Sequence, residues 1–153
     1  MNIDEIKVTC VRESAISEEQ SKVITPGNVS DIWGHYIKES SWYDAEKEMF
    51  VVILLNTQNI IKSYNLVSMG SLDVTIVHPR EVFKPALVTS SAAIILSHNH
   101  PSGKLDPSFE DVRLTKQLLE GARIFATPIL DHVIVAKNGE FFSMREHNTV
   151  DFK

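Results

Sequence analysis

The stretch SHNHPSGKLDPSFEDV gathers two imidazoles, a hydroxyl and a carboxylate within fifteen positions: His98, His100, Ser108 and Asp111. If His98 and His100 end a strand, residues i and i+2 share a face, and both rings can reach one point in space. Pro101 and Gly103 then turn the chain sharply, so that the first turn of a following helix can return Asp111 toward the rings. Two imidazoles and one carboxylate form a three-ligand set for Zn²⁺. A water at the fourth position gives the open geometry of a catalytic site rather than a closed structural one. These donors do not select zinc over other divalent ions by themselves. Each residue also has a structural reading. An H-x-H pair fits core packing, and Ser-x-x-Asp at a helix start resembles a capping box. Asp106 with Pro107 is a rival N-cap and first-turn pair, which would leave Ser108 and Asp111 without a capping role. The whole combination favours a metal site.

Strands and helices must position these groups. Phe50–Leu55 (FVVILL) reads as a strand buried on both faces. Asn56–Asn59 is a turn, and Ile60–Val67 is the return strand of a hairpin. Ala92–Leu96 is a second buried strand, leading directly into His98 and His100. Ser108–Glu120 is a helix, with Phe109, Val112, Leu114, Leu118 and Leu119 on its apolar face and Gly121 as its stop. Leu130–Ala136 is a third strand. Asn138-Gly139 signals a hairpin, with Phe141–Met144 returning.

Further toward the N-terminus, Val29–Glu39 has helical spacing and could be capped by Ser30 or Asn28. His78–Leu87 reads as a helix with Pro79 in its first turn, and Pro85 predicts a kink or an early end. Ile6–Val11 is a short candidate strand, and EEQSKVITPGN reads as a polar connector. Residues 1–28 thus read as an N-terminal piece ahead of alternating strands and helices that form a single mixed α/β domain.

With 153 residues the chain can bury roughly 68–70% of its unfolded surface, enough for a core without staples. Fifteen Lys and Arg against twenty Asp and Glu give a net charge of −5, which opposes strong non-specific DNA binding. No basic run or stacking aromatic motif supports direct nucleic-acid binding. The single cysteine, Cys10, excludes an internal disulfide and any zinc site built on two thiolates. A zinc deaminase with its Pro-Cys-x-x-Cys ligands fails on that count. No signal peptide or membrane-length apolar run is visible, so a cytoplasmic location and no membrane partner are expected.

H-x-H, seven residues, Ser, two residues, Asp resembles the JAMM metalloprotease signature of JAB/MPN domains. VHPREVF at 77–83, HNHPSG at 98–103, Pro-Ser-x-x-Asp at 107–111, LDHVIV at 130–135 and FFSMRE at 141–146 are similar to the RadC-like group within it. The resemblance runs from about Ile24 to the C-terminus, which implies a domain over 24–153 with residues 1–23 as an N-terminal extension. It implies a cytidine-deaminase-like fold, a curved mixed sheet flanked by helices. It implies Zn²⁺ held by His98, His100 and Asp111, with Glu48 as general base and Glu46 as the fallback. Ser108 would donate a hydrogen bond to the oxyanion.

The activity so implied is hydrolysis of an amide or isopeptide bond in an unidentified protein or peptide. The alternative is a non-catalytic interaction domain linked to DNA repair or mobile-element maintenance. The chain resembles the short RadC-like proteins that lack an N-terminal helix-hairpin-helix region, and related MPN domains suggest a homodimer by analogy. Among the other histidines, His132 reads as packed in preference to supporting the site, His78 starts a helix, and His35 and His147 have no partner spacing. Trp33 and Trp42 read as core or rim aromatics.

Overall fold

Parity along the apolar strands decides the architecture. In the computed structural model, which describes residues 7–11, 25–70 and 77–153, β1 (Glu48–Leu55) is buried at every position after the first. Its odd-numbered residues Met49, Val51, Ile53 and Leu55 face one layer, and its even-numbered Phe50, Val52 and Leu54 face the other. β1 pairs antiparallel with β2 (Ile61–Gly70) and with β3 (Ala93–His100). β3 runs parallel to β4 (Ile129–Ala136), which turns back into β5 (Phe141–Ser143). The five strands lie in the order β2-β1-β3-β4-β5, a mixed open sheet.

Helices cover both faces. On the odd face, α1 (Pro26–Ile32) continues without a break into a π-helical segment, Trp33–Ile37, and buries Val29, Ile32, Trp33 and Ile37. Trp33 Nε1 donates to Ser97 Oγ at 2.8 Å, and that hydroxyl donates to the Val133 carbonyl at 2.8 Å. A buried indole needs such a partner, and here it ties the helical layer to β3 and β4. On the even face, α2 (Pro79–Val88) and α3 (Phe109–Ile124) bury Val82, Phe83, Ala86, Leu118 and Ala122 against Phe50, Leu54, Ile94 and Leu96. The result is one α/β domain in three layers.

From Phe50 onward the strand and hairpin expectations hold, with β3 running on through both histidines and β2 on to Gly70. Several helix expectations are corrected. Thr25, not Ser30 or Asn28, precedes the first helix, because Pro26 suits the first turn and Asn28 Oδ1 accepts from the Thr25 amide at 3.0 Å. Pro85 does not end α2. It removes one donor a turn before the natural end, and Thr89 then closes the helix by donating its amide and hydroxyl to the Pro85 carbonyl.

Gly121 lies inside α3, which ends instead at Ile124, with Ala126 in the left-handed region at φ 49°. A Cβ on Gly121 would lie 2.9 Å from Phe83 Cε2, so the glycine permits helix contact rather than stopping a helix. Phe109 is 77% exposed and leaves the apolar face. Residues 7–11 form no strand, while Ile6 and residues 18–24 of the expected connector lie outside the described residues. Among the described residues no helix is long and apolar enough to cross a membrane.

Candidate metal centre

His98 and His100 occupy the C-terminal end of β3 on its even face. The chain then turns through Pro101 and Gly103. Gly103 adopts φ 79°, a left-handed conformation that glycine takes without a steric penalty, and its amide donates to the His100 carbonyl at 3.0 Å. The return leg reaches Ser108, the N-cap of α3. Ser108 Oγ accepts from the Asp111 amide at 3.1 Å, while Asp111 Oδ2 accepts from the Ser108 amide at 2.7 Å. The capping box is therefore real, and Ser108 rather than Asp106 is the cap. It does not exclude the metal reading, because the same reciprocal bonds aim the Asp111 carboxylate at the histidines.

The donor atoms of His98, His100 and Asp111 all lie within 4.8 Å of one another, a group that could hold a metal ion. His98 Nε2 is 2.9 Å from His100 Nε2 and 3.4 Å from Asp111 Oδ1, and His100 Nε2 is 3.6 Å from Asp111 Oδ2. Ligands about 2.1 Å from a tetrahedral ion stand about 3.4 Å apart, a value that the three separations bracket. The donor chemistry and the spacing fit a divalent cation.

Electrostatics point the same way. Burial works to raise the Asp111 carboxyl, but the neighbouring imidazoles of His100 and His98 and the Ser108 hydroxyl outweigh it and hold the group well below the usual carboxylate range. Burial works to lower His100, yet the Asp111 carboxylate beside it, the Lys104 carbonyl and the charge of Glu48 leave it raised. The site thus keeps its carboxylate ionised and attracts positive charge.

Glu48 begins β1. Phe50 pairs with His98, and the same register carried two residues on sets Glu48 across from His100 on the same face. Glu46 lies before the strand, 82% exposed at its side chain and 3.7 Å from Lys137 Nζ. The geometry therefore favours Glu48 over its fallback. Ser108 Oγ donates to Asp111 Oδ2 at 2.7 Å.

Two supporting residues, Asn99 and Thr115, escaped the sequence reading, and a third, His132, was read there as packed. Asn99, between the two histidines, points to the opposite face. Its Oδ1 accepts from the Met49 amide at 2.7 Å, and its Nδ2 donates to the Lys47 carbonyl at 2.9 Å. It thus grips the backbone on both sides of Glu48. An amide side chain on the strand face opposite the two histidines was the available signal. Thr115 on α3 and His132 on β4 lie behind His98. His132 Nε2 is 2.8 Å from His98 Nδ1, and its Nδ1 is 2.6 Å from Thr115 Oγ1. His132 is packed, as expected, but it also touches His98 directly. Burial and the nearby His98 hold it well below the ordinary histidine value. Phe50 stacks on His98 with rings 6.1 Å apart and 8° from parallel, and meets His132 edge-on at 5.4 Å. His78 precedes α2 as its N-cap, and the Nδ1 atoms of His35 and His147 contact the Asp31 and Ser143 carbonyls.

Fold and site together match a known family. The family model for the RadC-like JAB domain matches residues 27–149, and the chain belongs to that family. A UPF0758 protein of Methanosarcina mazei is 40% identical over 138 residues, which cover 90% of this chain and 58% of that protein. One from Alkaliphilus oremlandii is 44% identical over 129 residues, 84% of this chain and 53% of the relative. One from Caldanaerobacter subterraneus is 49% identical over 107 residues, covering 70% and 46%. The chain spans about half the length of the curated relatives it matches.

Proposed function

We propose that this protein is a zinc-dependent hydrolase of the JAMM type that cleaves an amide or isopeptide bond in a protein or peptide substrate. The observation that carries the reading is the convergence of His98, His100 and Asp111, with Glu48 opposite His100 on the same face of the sheet. His98 Nε2, His100 Nε2 and the Asp111 carboxylate would hold the ion. When bound, zinc lowers the pKa of a water toward about 7 and polarises a carbonyl.

The protein's own groups do the rest. Glu48 takes the proton of the attacking water and passes it to the leaving amine, a role typically worth about 10²–10⁴ in rate. Ser108 Oγ turns from Asp111 to donate to the oxyanion, and one such donor is worth about 2.7–4 kcal/mol in the transition state. Asn99 keeps Glu48 in place through the two flanking backbone groups. The domain carrying this chemistry is assigned to residues 24–153.

Elemental analysis of the purified protein beside Asp111→Ala tests the centre. The expected result is about one zinc per chain in the wild type and loss of it in the variant. Glu48→Gln should keep the metal and lose hydrolysis in a peptide and isopeptide screen. A wild type that takes up no metal even after zinc is added back would overturn the hydrolase reading and leave a domain that works by binding.

A further inference from the structure

His132 is completely buried and stands outside the three-ligand group, yet its ring bridges α3 to His98. Counting protons along its contacts settles which nitrogens carry hydrogen. The Asp111 backbone carbonyl accepts from Thr115 Oγ1 at 2.6 Å. A carbonyl has no proton to give, so the single hydroxyl proton of Thr115 is committed there. The Met144 sulfur, 3.6 Å from the same hydroxyl, is too weak an acceptor to compete. Thr115 Oγ1 must then accept from His132, so His132 carries its proton on Nδ1. A neutral imidazole has only one N–H, which leaves a lone pair on His132 Nε2. That lone pair accepts from His98 Nδ1 at 2.8 Å. His98 Nε2, the atom facing His100 and Asp111, is therefore bare.

His100 reaches the same state by a shorter route. Its Nδ1 is 2.7 Å from the Lys104 carbonyl, which can only accept, so in the neutral ring the proton is on Nδ1 and Nε2 is bare. Two bare nitrogens 2.9 Å apart beside a carboxylate repel one another unless a cation lies among them. The stacked Phe50 ring closes His98 and His132 off from that side.

We propose that Thr115 and His132 are positioning residues, a proton-ordered relay that fixes His98 in the one tautomer able to ligate a metal through Nε2. The relay starts at the backbone of Asp111 and ends on His98, so it joins two of the three ligands through α3 and β4. The inference rests on the metal-centre reading. Partners of this kind orient ligating histidines, and their loss typically weakens metal binding about 10–100-fold.

The test compares Thr115→Val, Thr115→Ser and wild type. Zinc affinity is measured by competition with a chelator, and imidazole tautomers of the metal-free proteins by long-range ¹H–¹⁵N NMR above the histidine titration range. Wild type is expected to show His98 and His132 both protonated on Nδ1. Thr115→Val should bind zinc about 10–100-fold more weakly and move part of the His98 proton to Nε2, while Thr115→Ser restores both properties. A folded Thr115→Val that binds zinc as tightly as wild type would overturn the relay. So would a wild type whose His98 proton is on Nε2, whether or not any variant folds. The predicted tautomers in a wild type that binds no zinc would uphold the relay and sink the metal-centre reading instead.

Discussion

Asp111 is one carboxylate with two tasks. Oδ2 closes the capping box with Ser108, and the group as a whole faces His98 and His100. Substitutions can separate the tasks. Ser108→Ala should cost about 0.5–2 kcal/mol of stability through the lost cap and keep its metal. Asp111→Ala should incur a similar loss and release the metal as well. Denaturant unfolding beside elemental analysis distinguishes them, and metal loss in both variants would mean that the cap, not the carboxylate, assembles the centre. Asn99 offers a second separation, because its side chain hydrogen-bonds to the backbone on both sides of Glu48. Asn99→Ala should retain zinc and lower the rate of hydrolysis, measured against Glu48→Gln as the fully impaired reference.

At the scale of elements, the centre depends on how α3 sits against the sheet. Gly121 lets the helix approach Phe83, a residue 1% exposed with its ring 5.1 Å from that of Phe125. Gly121→Ala should gain about 1 kcal/mol of helix propensity. The added methyl meets a ring that is hemmed in, and overpacking of this kind costs about 1–3 kcal/mol. The expected net effect is a lower melting temperature, read by calorimetry. A higher one would show that Phe83 has room to move. The opposite layer is held by the Trp33–Ser97–Val133 chain, which closes the back of the strand that carries the histidines.

For the whole molecule, burying His132 makes stability depend on pH. Burial and the adjacent His98 hold its pKa well below 6.5. The unfolded chain therefore takes up a proton near 6.5 that the native protein refuses. The contribution is fully present above that value and is lost as pH falls below it, by up to about 1.4 kcal/mol per pH unit until the native ring itself titrates. Urea unfolding of the metal-free protein on either side of pH 6.5 should show this loss, and His132→Gln should flatten it. An equal pH dependence in the two proteins would place the acid sensitivity elsewhere.

The sequence by itself pointed to the candidate ligand trio, the strands around it and the family. Those features rest on local signals: an H-x-H at a strand end, a Pro-Gly turn, a capping box and apolar runs long enough to be buried. It misjudged the start of α1 and the place of Gly121 in α3, and of the two outcomes it offered for Pro85 the early end did not occur. The place of Gly121 depends on what lies opposite, the Phe83 ring, while Thr25 with Asn28 and Thr89 onto Pro85 are local bonds whose rivals the sequence pattern favoured equally. The tertiary structure adds geometric support for Glu48 over its fallback Glu46, because the register of β1 on β3 carries Glu48 toward His100 while Glu46 lies before the strand beside Lys137. Only it turned Asn99, Thr115 and His132 into supports of the site. Their partners are 17 to 52 residues away in sequence, and no local periodicity encodes which buried polar groups will meet when a sheet and a helix pack together.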